Sequence, residues 1–170
     1  MRTALASLRR ILGNEGGSNL VEMGLGMVVF IPIFFGIIQF SYGLYVYNYV
    51  AEAAREATRW AAVRGSTCYS DLGASFCPSN GSSTTDIQSY VRGLGFPGMN
   101  KTSISVSTKW YTASSGTPRT WSSCSSGIPT CNKPGNQVQV AVSYPVPLPI
   151  PFWKSLTLTV QSTSQMVIVQ

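Results

Sequence analysis

The sequence contains no histidine and unusually little charge. Its 170 residues include 12 lysines and arginines and 6 aspartates and glutamates, and charged residues make up 11% of the chain. That share is about half of the ~25% found in average soluble domains. The lack of histidine excludes Ser-His-Asp and Cys-His catalysis and removes the commonest ligand of transition metals. The composition therefore predicts a protein that is not an enzyme and that uses neither a metal nor another cofactor.

The remaining charged residues do not suggest a catalytic or nucleic-acid site either. The only acids after the long helix described below are Asp71 and Asp86. Asp86 stands where a short helix should begin and Asp71 stands in a predicted turn, and both positions are more typical of capping and turn residues than of general bases. The lysines and arginines are scattered and form no basic patch, so we expect no nucleic-acid binding.

A long apolar run dominates the N-terminal part. No charged residue occurs between Met23 and Ala51, a stretch that opens with "MGLGMVVFIPIFFGIIQF" and is long enough to cross a bilayer as a helix. A cleaved secretory signal is the alternative, but its apolar core would be about 7–15 residues with a small-residue cleavage site after it. The run continues without such a site, which favours a retained helix that spans the membrane at about 23–45.

The flanks of this run predict its orientation. At 1.5 Å per residue, Tyr42 lies about 30 Å beyond Glu22, which is one hydrocarbon thickness. Aromatic residues, typical of the headgroup level, cluster there: Phe40, Tyr42, Tyr45, Tyr47 and Tyr49. Some of them could instead pack beneath the following domain. Three arginines precede the run, Arg2, Arg9 and Arg10, so the N-terminus should be cytoplasmic and the C-terminal part outside.

Helical patterning continues past the aromatic residues. A stripe of small residues recurs every four positions: Ala53, Ala57 and Ala61. Two i,i+3 pairs of opposite charge predict a solvated face: Glu52 with Arg55, and Glu56 with Arg59. Gly65 is a natural stop. We therefore expect one helix from about Leu20 to Arg64.

The later part of the chain has the alternation of a small sheet. "KTSISVSTKWYT", "NQVQVAVSY" and "SLTLTVQSTSQMVIV" read as strands, and "TDIQSYVRGLG" reads as a short amphipathic helix. The prolines of "PVPLPIPF" predict an edge or crossing segment, because proline cannot serve a central strand. The fold class is α+β: a long N-terminal helix followed by an antiparallel sheet of three or four strands.

The cysteines all follow the apolar run, as expected for a region exported to an oxidising compartment. They are Cys68, Cys77, Cys124 and Cys131. Four cysteines allow three connectivities. The short spacings favour Cys68–Cys77 and Cys124–Cys131, and a tetrathiolate metal site is the alternative, although C-x-x-C spacing is missing.

The segment Gly16-Gly17-Ser18-Asn19-Leu20-Val21-Glu22 resembles the class III signal of type IV pilins and pseudopilins. That signal has a short basic leader, a glycine, and a glutamate as the fifth residue of an apolar helix. The resemblance implies that Gly17 ends the leader, that Ser18 becomes the mature N-terminus, and that Glu22 acts in assembly. In low-dielectric surroundings the new amine and a carboxylate attract strongly, so neighbouring subunits would pair amine with Glu22.

The helix that follows resembles the TadE-like family of tight-adherence (Flp) pilus assembly proteins. The similarity lies in "VAEAAREATRWAA", residues 50–62, with Thr58 and Trp60 departing from the usual glycine and tyrosine, and more weakly in "VQVAVSYPVPLP" and "SLTLTVQSTSQM". It implies a leader over 1–17, a long helix over 18–64, and an extracytoplasmic domain over 65–170.

The family further implies a minor pilin or pseudopilin of the bacterial inner membrane, single-pass, with a cytoplasmic N-terminus and a periplasmic C-terminal domain. Its expected partners are prepilin peptidase, other pilins or pseudopilins, inner-membrane pilus assembly proteins and membrane lipid, in homo- or hetero-oligomers. An uncleaved single-pass anchor that displays a binding or adhesion domain is the alternative.

Overall fold

A computed structural model describes residues 15–95, 97–116, 119–128, 130–149 and 156–170. Most of the predicted leader, including its three arginines, lies outside the described residues. The described chain divides into two compact units, one ending at Tyr42 and one running from Gly43 to Gln170. The fold class is the one that the sequence predicts, a long apolar N-terminal helix followed by a small antiparallel sheet.

Helix α1 runs from Glu15 to Val63 and contains Pro32. It begins about five residues before the expected start near Leu20, and its first turn includes Gly16 and Gly17. Pro32 removes one backbone hydrogen bond from this helix, a loss that membrane-spanning helices tolerate.

The first unit has apolar side chains that no described residue covers. The large apolar residues from Leu20 to Phe40 are 41–76% exposed, and the most hydrophobic window of the helix has none of its residues buried. A core helix of a soluble protein would bury such side chains. By length and composition α1 is a candidate membrane span, so it could serve as a membrane anchor.

The second unit contains the sheet. Its strands are β1 (Ser105–Ala113), β2 (Trp121–Ser123), β3 (Gln137–Leu148) and β4 (Leu156–Val167). They pair antiparallel in the order β2-β1-β3-β4. The three longer strands correspond to the alternating segments of the sequence, whereas β2 lies outside those segments.

β3 shows how the sheet accommodates proline. Pro145 and Pro147 lie in this strand and pair with β4, but the pairing with β1 extends only to Ser143. Residues two apart direct their backbone to the same side of a strand. Both prolines therefore present their missing N–H to the side that β1 no longer covers, which agrees with the expected edge character of this segment.

The core lies between the small-residue stripe of α1 and one face of the sheet. The expected alanine stripe is buried, together with flanking valines: Val46, Val50, Ala53, Ala57 and Ala61. β3 alternates buried and partly exposed positions over most of its length, and its inward residues are Val138, Val140, Val142, Tyr144 and Val146. Each buried valine contributes roughly 1.5–3 kcal/mol of transfer free energy.

Two short helices follow α1: α2 (Cys68–Leu72) and α3 (Thr84–Gly93). α3 begins with a capping box in which the Ser83 hydroxyl accepts from the Asp86 backbone N–H, and the Asp86 carboxylate accepts from the Ser83 N–H. Asp86 is thus a helix-start residue, as expected. Asp71 lies in α2 rather than in an open turn. Ile87 and Val91 bury the apolar face of α3.

Gly65 follows the end of α1 at Val63 and is also required for close packing. A Cβ built on Gly65 would overlap the Gln170 carbonyl oxygen and lie 2.6 Å from Ile168 Cγ2. The backbone N–H of Val169 donates to the Ala62 carbonyl oxygen at 3.0 Å. The end of α1 and the residues after β4 therefore lie against each other at this glycine.

We expect Gly65→Ala to lower the free energy of unfolding by about 1–3 kcal/mol, because the added methyl group forces the packed backbones apart. Urea or thermal unfolding of the detergent-solubilised chain, followed by near-UV circular dichroism, measures this. Gly93→Ala is the matched control, since its Cβ has no neighbour within 4 Å and should be neutral or stabilising by up to about 1 kcal/mol. Equal stabilities of the two variants would contradict the packing role of Gly65.

Candidate assembly and interaction sites

The predicted processing and assembly residues lie on an exposed part of α1. Gly17 and Glu22 are both exposed, and a Cβ at Gly17 would meet no atom within 4 Å. Ser18 and Glu22 are four residues apart and therefore lie on the same side of the helix, one turn from each other. No described residue forms an ion pair with Glu22.

The expected cleavage site lies within helical backbone. The bond between Gly17 and Ser18 lies inside α1, so a protease that binds extended chain must first unwind this turn. Gly16 and Gly17 lower the cost of unwinding, since each glycine weakens a helix by about 1 kcal/mol relative to alanine. This turn is therefore intrinsically weak.

A second cluster surrounds Trp60 in the other unit. The rings of Trp60 and Tyr90 stack with centroids 5.0 Å apart, and the Arg64 guanidinium carbon lies 4.4 Å from the Trp60 ring centroid. The Tyr90 hydroxyl donates to Glu56 Oε1 at 3.0 Å. α3 is thereby attached to α1 by stacking and by a hydrogen bond.

One of the two expected i,i+3 ion pairs is present. Arg55 and Glu52 lie 3.4 Å apart and both are well exposed, so the pair contributes little. The expected pairing of Glu56 with Arg59 was wrong: Glu56 instead accepts from Tyr90, a residue brought beside it by the packing of α3.

The cluster raises the pKa of the Tyr90 hydroxyl. Burial disfavours the charged phenolate. The Glu56 carboxylate also favours the neutral phenol, because it accepts a hydrogen bond from the hydroxyl and repels the phenolate. The positive charge of Arg64 partly opposes these effects. Because the folded-state pKa lies above the unfolded value of about 10, this tyrosine contributes stability that is complete below pH ~10 and is lost as the pH rises further.

The Cys68–Cys77 disulfide closes a loop beside this cluster. Arg64 Nε donates to the Phe76 carbonyl oxygen at 3.1 Å, so the guanidinium that covers Trp60 also holds the loop. The loop displays three exposed apolar side chains, Tyr69, Leu72 and Phe76. An open groove lies between it and α3, and its lining includes Trp60, Phe76, Asp86, Ser89 and Tyr90.

The second disulfide joins Cys124 to Cys131. The Cys124 backbone N–H donates to the Trp110 carbonyl oxygen at 2.9 Å, which attaches this loop to β1. Both disulfides have the connectivity that the short spacings favour. Because all four cysteines are paired, the alternative of a tetrathiolate metal site does not hold.

Asn132 is a buried polar residue that no sequence signal revealed. It is fully buried, its amide nitrogen donates to the Ser82 carbonyl oxygen at 3.2 Å, and its backbone carbonyl accepts from the Ser66 N–H at 2.7 Å. Gly81 has a φ of 81° and leaves room for the Asn132 amide. These contacts join the two disulfide loops to the end of α1, and they depend on residues more than 45 positions apart, which local patterning does not report.

The aromatic residues around position 45 divide between two roles. Tyr45 donates to the Pro97 carbonyl oxygen at 3.2 Å and its ring lies 5.9 Å from that of Tyr49, so both belong to the folded domain. Phe40 and Tyr47 are exposed and remain available to a headgroup layer.

Residues 17–59 match the family model of TadE-like proteins. The resemblance stated from the sequence is confirmed over this segment, which begins at the expected cleavage site, contains Glu22, and ends one residue before Trp60. Comparison with curated proteins and with solved structures gives no match.

We expect Tyr90→Phe to reduce the loss of stability at alkaline pH, because the variant has no phenol to ionise in contact with Glu56. Unfolding midpoints measured between pH 8 and about 11 test this, and the wild-type midpoint should fall more steeply above pH ~10 than that of the variant. Tyr111→Phe is the control, since it removes a phenol that donates to the neutral amide of Gln139. Parallel curves for wild type and Tyr90→Phe would contradict the assignment.

Proposed function

We propose that this protein is a minor pilin-like or pseudopilin-like component of tight-adherence pilus biogenesis that acts by helix packing and subunit assembly rather than by catalysis. The TadE-like match over residues 17–59 suggests involvement in that machinery. The observation that carries the proposal is the exposed apolar part of α1 with one acid, Glu22, at its beginning. Such a helix requires lipid or other helices around it.

The proposed action begins with a cut. Prepilin peptidase hydrolyses the bond after Gly17, and the glycine pair supports this because it eases local unwinding of the helix. The cut creates an α-amine on Ser18, one helical turn from Glu22. Without the cut, the first unit offers Glu22 no described cationic partner.

Glu22 and the new amine then align subunits. A carboxylate near hydrocarbon is costly unless it is paired, and attraction between opposite charges increases as the effective dielectric falls. Pairing Glu22 of one subunit with the Ser18 amine of its neighbour would neutralise both and set the axial position of two adjacent helices. The exposed apolar side chains beyond Glu22 provide the packing surface.

The proposed location is the bacterial inner membrane, with the N-terminus in the cytoplasm and the domain from Gly43 onwards mainly in the periplasm. Both disulfides suit an oxidising compartment. The partners are prepilin peptidase, other pilins or pseudopilins, inner-membrane assembly proteins and lipid. Neither a cofactor nor a nucleic acid takes part.

Intact-mass measurement of the membrane-extracted protein from cells that assemble the pilus tests the cut. We expect the wild-type mass to correspond to residues 18–170. We expect Gly17→Val to retain the leader, because a β-branched side chain crowds the scissile bond. Gly24→Val is the matched control, since neither glycine has a neighbour within 4 Å of its Cβ, and it should be processed normally. A wild-type chain of all 170 residues would favour the uncleaved membrane-anchored binding or adhesion protein.

Glu22→Gln tests the acid separately from the cut. The substitution keeps the size and removes the charge, so we expect normal processing but at least a ~10-fold loss of assembled pili, in line with the loss of a charge-assisted hydrogen bond. Sheared-pilus yield and electron microscopy measure the outcome. Glu52→Gln removes an exposed acid whose ion-pair partner among the described residues is Arg55, and this variant should assemble normally. Wild-type assembly by Glu22→Gln would refute the pairing.

A further inference from the structure

Strand β4 is an edge strand of the sheet, and no described strand pairs with its outer side. It is terminal in the order β2-β1-β3-β4, it pairs with β3 without interruption from Leu156 to Val167, and the sequence from Leu156 to Gln170 contains no charge, proline or glycine. Edge strands are usually protected from pairing with other chains by charged residues, prolines or bulges. Among the described residues, this edge has none of these protections up to Val167, and beyond Val167 the Val169 N–H donates to the Ala62 carbonyl oxygen at the end of α1.

The register shows which backbone groups of β4 face outward. The Ile168 N–H donates to the Asn136 carbonyl oxygen at 2.8 Å, and hydrogen-bonded and non-hydrogen-bonded positions alternate along an antiparallel pair. Even-numbered residues of β4 therefore direct their backbone towards β3. The odd-numbered residues direct theirs away from it: Thr157, Thr159, Gln161, Thr163, Gln165 and Val167. Thr157 and Thr159 lie opposite Pro147 and Pro145. Because proline has no N–H to donate, these pairings agree with odd-numbered residues that direct their backbone away from β3.

The sequence of this edge is symmetric about Thr163. Gln161-Ser162-Thr163-Ser164-Gln165 reads the same in both directions. Beyond this palindrome, Val160 is matched by Met166, and Leu158 is matched by Ile168. An antiparallel copy of the strand centred on Thr163 would therefore place like beside like at these positions, and Thr159 opposite Val167.

We propose that β4 pairs with β4 of a second copy of this chain, antiparallel, with Thr163 of both copies on the twofold axis. Thr163 is odd-numbered, so this register brings outward-facing backbone groups of the two strands together. Pairing from Thr159 to Val167 forms about ten backbone hydrogen bonds. Thr163 then faces Thr163, and Ser162 faces Ser164 of the second copy, cross-strand pairs of a favourable kind. The two sheets become one, through an isologous interface.

Apolar side chains at the edge favour the same partner. Leu158 and Met166 are 51% and 40% exposed, although their even numbers place them on the face of the sheet that carries the core. In the dimer Met166 lies beside Val160 of the second copy, and Leu158 lies at the position opposite Ile168 of the second copy, which is already buried at Gly65. Burying these side chains adds an apolar contribution to the backbone pairing. The edge carries no charge that would repel an identical strand.

Cross-linking of the full-length protein in its native membrane tests the proposal. All four native cysteines are in disulfides, so Thr163→Cys introduces a unique thiol on an exposed position. We expect a short bismaleimide to produce a covalent homodimer. Thr157→Cys is the matched control on the same strand and face. Its two copies would lie about 40 Å apart in this register, and it should give no dimer.

The register has its own test. Gln161→Cys and Gln165→Cys should cross-link to each other when co-expressed, whereas each alone should not, because like positions are about 14 Å apart. Three outcomes would overturn the proposal: no dimer from Thr163→Cys, an equal yield from Thr157→Cys, or cross-linking of Thr163→Cys to a different protein. Dimer formation by Gln161→Cys alone at the yield of the mixture would overturn the register. Neither arm depends on cleavage after Gly17.

Discussion

The two parts of α1 need different surroundings, and the rest of the structure depends on this difference. From Met23 to Ile38 the helix is apolar on all sides and nothing in the described chain covers it. From Val46 onwards only one stripe is buried, and that stripe is made of valines, alanines and Thr58. The first part needs a hydrophobic medium or other helices, whereas the second needs one sheet. A single helix thus links an apolar segment to a folded domain.

Because the side chains of that stripe are small, valines on the sheet are large enough to fill the space beside the helix. Alanines keep the helix backbone close to the core, and the inward residues of β3 fill the remaining space. The polar contacts of Asn132 then hold the loops against the end of α1, at the point where Gly65 lies against Ile168 and Gln170. The two disulfides close loops on either side of this junction and limit the freedom of the unfolded chain.

Features that depend on local periodicity were predictable. The apolar run, the alanine stripe, the Asp86 helix start and the three long strands each leave a repeat or a cap in the sequence. Features that depend on distant partners were not. Glu56 looked like the partner of Arg59 until α3 brought Tyr90 to it, β2 is three residues within a polar stretch, and Asn132 looks like an ordinary turn residue. At the candidate site, the residue types led to the predictions for Gly17, Ser18 and Glu22. They did not predict that the bond between Gly17 and Ser18 lies in helical backbone.

The proposed function requires the two units to occupy different environments, with residues around Glu22 at the cytoplasmic side and the disulfide-bonded domain in the periplasm. Labelling of single cysteines with a membrane-impermeant maleimide tests this most directly, using Asn19→Cys and Ser75→Cys, both at exposed positions. The account predicts that intact spheroplasts label Ser75→Cys at once and label Asn19→Cys only after the membrane is permeabilised. Labelling of Asn19→Cys in intact spheroplasts, or protection of Ser75→Cys, would contradict it.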